Sequence, residues 1–156
     1  MVFFSPVLQV GASLFSIVLS LISITSQDIE RAFLLNDARR LEAQFSADIR
    51  LTLDLPDPLS FSDQVSSEQA FFIFQGVFRR YVTLEFIPET AFYQAEAGGP
   101  IVVKARWSFT DPSNNDRFGL RVFFLLEHYG APPGVRARPG RPGPAWKIIE
   151  IKAEKI

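Results

Sequence analysis

The sequence predicts a small α+β domain, and three observations predict it. Apolar residues recur at helical spacing over residues 27–45 and again over 66–81. From Val82 onward they instead alternate with polar residues, in runs separated by Pro, Gly and Asn turns. There is no cysteine in the 156 residues, so the domain must rest on an apolar core rather than on disulfides or thiolate metal sites.

The elements follow in order. Gln27 to Leu35 has helical spacing with Ile29, Phe33 and Leu34 on one side, and Asn36-Asp37 breaks it. Asp37 is a suitable N-cap for a second short helix, Ala38 to Phe45, in which Leu41 and Phe45 stand four apart. Ile49, Leu51, Leu53 and Leu55 alternate with Arg50, Thr52 and Asp54, a half-buried strand ended by Pro56 and Pro58. Leu59 to Val65 is mixed, with room for a short strand. Ser66 and Gln69 match a capping box for a helix to about Tyr81, whose buried stripe is Ala70, Phe74, Val77, Phe78 and Tyr81. Val82, Leu84 and Phe86 begin the strands, with Pro88 implying an edge position or a bulge, and Ala91 to Ala95 is read as its continuation. Val103 to Phe109 alternates cleanly. Phe118 to His128 is apolar on both faces near Phe123 to Leu126, which predicts a strand in mid-sheet. Trp146 to Ile151 is read as the last strand. Between these two lies 130–145, with five prolines, four glycines, three arginines (Arg136, Arg138, Arg141) and no acid, a composition that predicts a loop.

The N-terminal stretch has a different character. Met1 to Gln27 carries no Lys, Arg, Asp, Glu or His. Pro6 to Thr25 is long enough to cross a bilayer, which takes roughly 20 apolar residues. Residues 1–26 therefore read as a signal peptide or a membrane anchor, leaving residues 27–156 as one domain. Ser13, Ser16, Ser20 and Ser23, at helical spacing, suit an anchor that packs on another helix. The expected location is periplasmic or secreted, with a membrane-anchored domain facing out of the cytoplasm as the alternative.

The chain has 16 basic and 17 acidic residues, a formal net charge of −1. A duplex-binding protein neutralises phosphates with a basic excess, so nucleic acid is not an expected partner. No spacing matches a phosphate-binding loop, a dinucleotide fingerprint, a zinc helix or a calcium loop, and no cofactor or metal is expected.

The order helix, helix, strand, short strand, helix, then strands joined by turns resembles the nuclear transport factor 2-like superfamily, shared with ketosteroid isomerase and SnoaL-like proteins. Three stretches carry the resemblance: Ile29-Glu30-Arg31-Ala32-Phe33 with Asn36-Asp37-Ala38-Arg39-Arg40-Leu41; Phe45-Ser46-Ala47-Asp48-Ile49; and Ser67-Glu68-Gln69-Ala70 leading to Val77-Phe78-Arg79-Arg80. Within the superfamily the chain looks most similar to short exported bacterial proteins of unknown function. The resemblance implies three N-terminal helices packed on a curved, mostly antiparallel sheet, a pocket at the open end of the cone, and sheets that often form homodimers. The Pro/Gly/Arg stretch departs from the compact final hairpin common in that superfamily.

Candidate site residues are then few. Phe74, Phe78, Trp107 and Phe124 suit the lining of an apolar cavity and suit ordinary core packing equally in kind. His128, the one histidine, suits a general base or a strand-end surface role. Asp48, Asp54 and Asp57 surround the first strand, where the isomerase relatives place an acid, and also suit plain solvation of that strand. With no catalytic constellation placed by motif, the expected function is non-enzymatic binding of a small apolar ligand or a protein partner in the cell envelope. The alternatives are an isomerase- or dehydratase-like enzyme and a dimerising structural module.

Overall fold

The computed structural model describes residues 23–89, 93–94, 99–129 and 145–156. Among the described residues, 23–34 are helical (α1). There follow α2 (Ala38–Glu42), β1 (Leu51–Leu55), β2 (Phe61–Val65), α3 (Ser67–Arg80), β3 (Val82–Pro88), β4 (Tyr93–Gln94), β5 (Ile101–Asp111), β6 (Asp116–Tyr129) and β7 (Ala145–Lys155). The expected leader falls mainly on residues 1–22, outside the described residues, and its boundary at 26/27 lies within α1. Among the described residues, no helix is long and apolar enough to cross a membrane. The expected loop at 130–145, with Arg136, Arg138 and Arg141, also lies outside them except for Ala145.

All strands belong to one sheet, in the order β2-β1-β7-β6-β5-β3, with β4 beside β5. Among the described residues, every pairing between strands is antiparallel except β1 with β7, where Thr52, Leu53 and Asp54 run parallel to Glu150, Ile151 and Lys152. The sheet is therefore mixed. The helices are also not all N-terminal: α3 follows β1 and β2 in the chain. The reason is topological. β1 and β2 form a hairpin before α3, and β1 then waits for the last strand to become its second neighbour.

Alternation sorts the two faces. On β5, Ile101, Val103, Ala105, Trp107 and Phe109 are buried, and the residues between them face outward. On β6 the buried set is Leu120, Val122, Phe124 and Leu126. β6 lies between β5 and β7, so it is interior to the sheet. Its Phe123 and Leu125 are half-buried on the outward face, which is why the run read as apolar on both sides. Pro88 sits on β3, the last strand in the order, while the irregular register falls earlier, between Thr83 and Glu85.

The inward face packs on α1 and α3. The α3 helix begins with a complete capping box: Ser66 Oγ accepts from Gln69 N–H, and Gln69 Oε1 accepts from Ser66 N–H. Its buried residues are Ala70, Phe71, Phe74 and Phe78, and Tyr81 caps its end in the core. Leu34 and Ile49, expected inside, are exposed: Leu34 is turned off the buried side of α1 that holds Ile29 and Phe33, and Ile49 lies two residues before β1 begins.

Candidate functional site

The fold brings four of the five expected lining residues together. Phe74 and Phe78 come from α3, Trp107 from β5 and Phe124 from β6, and all are buried. The sequence did not single out the side chain at their centre, Phe33 of α1. Its ring centroid lies 4.5 Å from Phe86, 5.0 Å from Trp107, 5.4 Å from Phe78, 5.8 Å from Phe124 and 6.1 Å from Phe74. Apart from the stacked Phe86, these contacts are edge-to-face, the orientation the ring quadrupole favours. Phe33 is 1% exposed, so this part of the interior is occupied by the protein's own rings. Trp107 is also satisfied as a polar group, its Nε1–H donating to Thr83 Oγ1 at 3.0 Å.

His128 stands elsewhere, at the last inward position of β6. It is half-exposed and meets Trp146 edge-to-face at 5.2 Å between ring centroids. On the other side of the strand, Tyr129 O–H donates to Glu127 Oε2 at 3.1 Å. Burial raises the Tyr129 phenol above its ordinary value; a hydrogen bond from Ser46 opposes this, and the nearby Glu127 and Asp48 charges add to it.

The acids near β1 do not enter the core. Asp48 and Asp54 are exposed, and Asp57 lies in the turn after β1. Among the described residues the buried carboxylate is instead Asp111, at the end of β5, a residue the sequence pattern does not single out. Its Oδ1 accepts from Ser113 Oγ at 2.6 Å and from Ser113 N–H at 3.0 Å, and Arg80 Nε lies 3.6 Å from Oδ2. The Ser113 hydroxyl and amide, aided by Arg80, hold its carboxyl below the usual carboxylate range against the opposing effect of burial. Every strong partner of Asp111 is structural, so it holds a turn and offers no free base.

Shallow clefts lie on the outside. One of about 420 Å³ lies between the α1–α2 turn and α3, lined by Leu35, Arg39, Phe71, Gln75 and Arg79 among others. Another, about 250 Å³, lies on the outward face of the sheet among Val102, Phe123, Leu125, Glu150, Lys152 and Glu154. A third, about 400 Å³, lies between β2 and α3, with Phe61, Phe72 and Ile73 in its wall. Among the described residues, no group of three His, Asp or Glu side chains converges to hold a metal.

No family model matches the chain, and no curated protein matches it. Solved structures do. LinA superposes with a TM-score of 0.62 at 15% identity, covering 93% of this chain and 90% of that one. A ketosteroid isomerase-like protein from Erwinia carotovora atroseptica gives 0.60 at 16% identity, covering 88% and 95%. An NTF2-like protein of unknown function in nutrient uptake from Rhodospirillum rubrum gives 0.57 at 13%, covering 86% and 98%. The chain thus has the nuclear transport factor 2-like fold, one that carries both isomerase-like proteins and proteins of unknown function.

Proposed function

We propose that this domain acts by binding a partner protein rather than by converting a small molecule inside the cone. The observation that supports this is Phe33. Where an enzyme of this fold would need space and a titratable group, five aromatic rings close on a sixth, and the nearby acids face solvent or hold a turn. An acid or base works only within hydrogen-bond reach of its substrate. Cutting Phe33 back to Ala opens a ring-sized hole, at about 3–5 kcal/mol of stability. The expected result is that Phe33→Ala takes up benzene or xenon in its interior and the wild type does not. Wild-type uptake of either beside Trp107 would reopen the reading of an apolar-ligand or isomerase-like pocket.

One surface suits the partner. Val102, Phe123 and Leu125 form a half-buried apolar strip on the outward face, with Lys104 and Lys152 beside Glu150 and Glu154. Because that rim carries both signs, a second copy of the chain can set acid against base across it. A homodimer through the sheet is therefore the specific form we favour. Sedimentation of the wild type should show a dimer that Leu125→Lys converts to monomer with its fold intact; a monomeric wild type at high micromolar concentration overturns it. The uncharged run Met1–Gln27 supports placing the domain in the cell envelope. Intact-mass analysis of fractions from the native host tests that, a soluble species beginning near Gln27 marking a cleaved leader and a full-length membrane species an anchor.

A further inference from the structure

The cleft of about 420 Å³ between the α1–α2 turn and α3 lies on the helical side of the molecule, away from the outward face of the sheet. Phe71, Gln75 and Arg79 stand four apart on α3, so they form a row along one side of that helix. Facing them, the turn contributes Leu35, and α2 contributes Arg39. Leu35 is 64% exposed, the most exposed of the described large apolar side chains.

The polar groups of this cleft divide in two. Some are engaged within the fold. The Asn36 amide is bonded to the backbone of Phe78, Tyr81 and Thr83. Asp37, the acid in the wall, accepts from Arg40 N–H at 3.0 Å as the cap of α2, and Arg40 Nε lies 3.7 Å from its other oxygen. The arginines keep donors to spare. The Arg39 guanidinium lies 4.0 Å over the Phe71 ring, and one of its nitrogens donates to Glu42 Oε2 at 2.8 Å. Stacking uses the face of a guanidinium and leaves its edge of five N–H groups, of which Glu42 takes one. Arg39 is thus held in place with most of its donors open. Arg79 is exposed, and among the described residues its side chain has no ion pair. The last turn of α3 favours a cation there without occupying any of its N–H groups.

We propose that this cleft docks an acidic segment of a partner protein, with carboxylates on Arg39 and Arg79 and an apolar side chain on Leu35. Guanidinium edges match carboxylates, which they grip through paired N–H bonds. A free small molecule is buried over most of its surface in its site, and this cleft is too shallow for that. A protein segment is held by its own chain on either side and needs no enclosing wall. The whole-molecule charge does not favour such a ligand, because the formal net charge is −1, so the attraction comes from the cleft itself. The site rests on the protein-association reading above but uses a different face from the sheet dimer.

The test uses the full chain and a short fluorescein-labelled peptide of glutamates with leucines among them, read by fluorescence anisotropy. The peptide should bind saturably, and a version with glutamine at every glutamate should bind far more weakly. Arg39→Ala and Arg79→Ala should each weaken the acidic peptide roughly tenfold, the loss expected for one charge-assisted hydrogen bond. Arg106→Ala removes an exposed cation from the outward face of the sheet and should change nothing. No binding of the glutamate peptide, equal binding of the glutamine version, or a loss in Arg106→Ala as large as in Arg79→Ala overturns the proposal. So does glutarate that displaces the labelled peptide as well as the unlabelled peptide does, because the site would then serve a free small carboxylate. Should Arg39→Ala fail to fold with Phe71 uncovered, Arg79→Ala decides alone. Leu125→Lys should leave peptide binding intact, so the two readings fail separately. A monomeric wild type that binds the peptide loses the sheet dimer alone, and a dimer that ignores the peptide loses this site alone.

Discussion

Asn36 joins three parts of the fold with a single side chain. Its Nδ2 donates to the Phe78 carbonyl at 3.0 Å and to the Tyr81 carbonyl at 2.7 Å, and its Oδ1 accepts from Thr83 N–H at 3.3 Å. Its backbone is left-handed, at φ 50°. Asparagine tolerates that region better than most residues, so one residue type meets both demands. In sequence Asn36 was legible only as the end of a helix, because its partners lie more than forty residues away. Asn36→Ala should lose roughly 2–4 kcal/mol, combining lost bonds at about 1 kcal/mol each with backbone strain. Asn36→Gly removes only the strain and should recover part of that loss in urea melts; an Ala variant no less stable than wild type would show the three bonds to be idle. Asp111 makes a second test at this scale. Its carboxyl is held below the usual range by Ser113 first and Arg80 after it, so the folded chain prefers the ionised form. The stabilisation is present above the unfolded value, near 4, and is lost as pH falls through the lower native value. Ser113→Ala should therefore be less stable than wild type at pH 6, and the gap should close toward pH 2. A gap that does not change with pH would mean the serine acts through turn geometry alone.

Elements were legible where one physical rule dominates a run of residues. The capping box of α3 and the alternation of β5 are local, and the structure reproduces both. Ser66→Ala should accordingly cost about 1 kcal/mol in thermal or urea melts, and Gln69→Ala in the same background should add less than it does alone, since the two bonds are reciprocal. β7 was harder to bound. The sequence reading ends it at Ile151, yet the strand runs to Lys155, with Lys152 and Glu154 outward and Ile151 and Ala153 buried. Pro88 made the β3 edge legible, but how the edges are protected was not, because that is done by side chains. On β2, Gln64 N–H donates to Asp63 Oδ1 at 2.7 Å, and the Gln64 carbonyl accepts from Arg50 Nη2 at 2.7 Å. On β3, the Thr83 amide is taken by Asn36. A free edge invites another strand, and occupied backbone groups refuse it. Arg50→Ala with Asp63→Ala should increase concentration-dependent association seen by light scattering, with little change in thermal stability; association equal to wild type would show that the edge is protected by some other means.

At the scale of the molecule, composition and the order of elements carried the fold class, and the resemblance they supported agrees with the solved structures. They could not supply the parallel pairing of β1 with β7, nor which of sixteen phenylalanines stands at the centre, because both depend on residues far apart in sequence meeting in space. That pairing has a mechanical consequence. Among the described residues, β7 is the one neighbour of β1 in the sheet besides β2, so it ties the β1–β2 hairpin to the other strands. Leu53 of β1 sits beside Ile151 of β7, and both are fully buried. Closing so long a loop is entropically costly before any contact repays it, so the chain should fold on the millisecond-to-second scale typical of non-local sheets. The last strand then acts as a keystone: a chain ending at residue 144 loses the register of β6 on one side and of β1 on the other. It should lack the near-ultraviolet circular dichroism of the packed tryptophan and phenylalanine rings and show no cooperative urea transition, although its helical segments are all present. A milder variant separates this from general damage. Ile151→Val should cost about 0.5–1.5 kcal/mol. If β7 unites the two halves, amide exchange in β1 and β2 should accelerate by the same factor as in β7 itself. Exchange in β1 and β2 that ignores the substitution would mean the hairpin is held mainly by α3, and the keystone argument would fail.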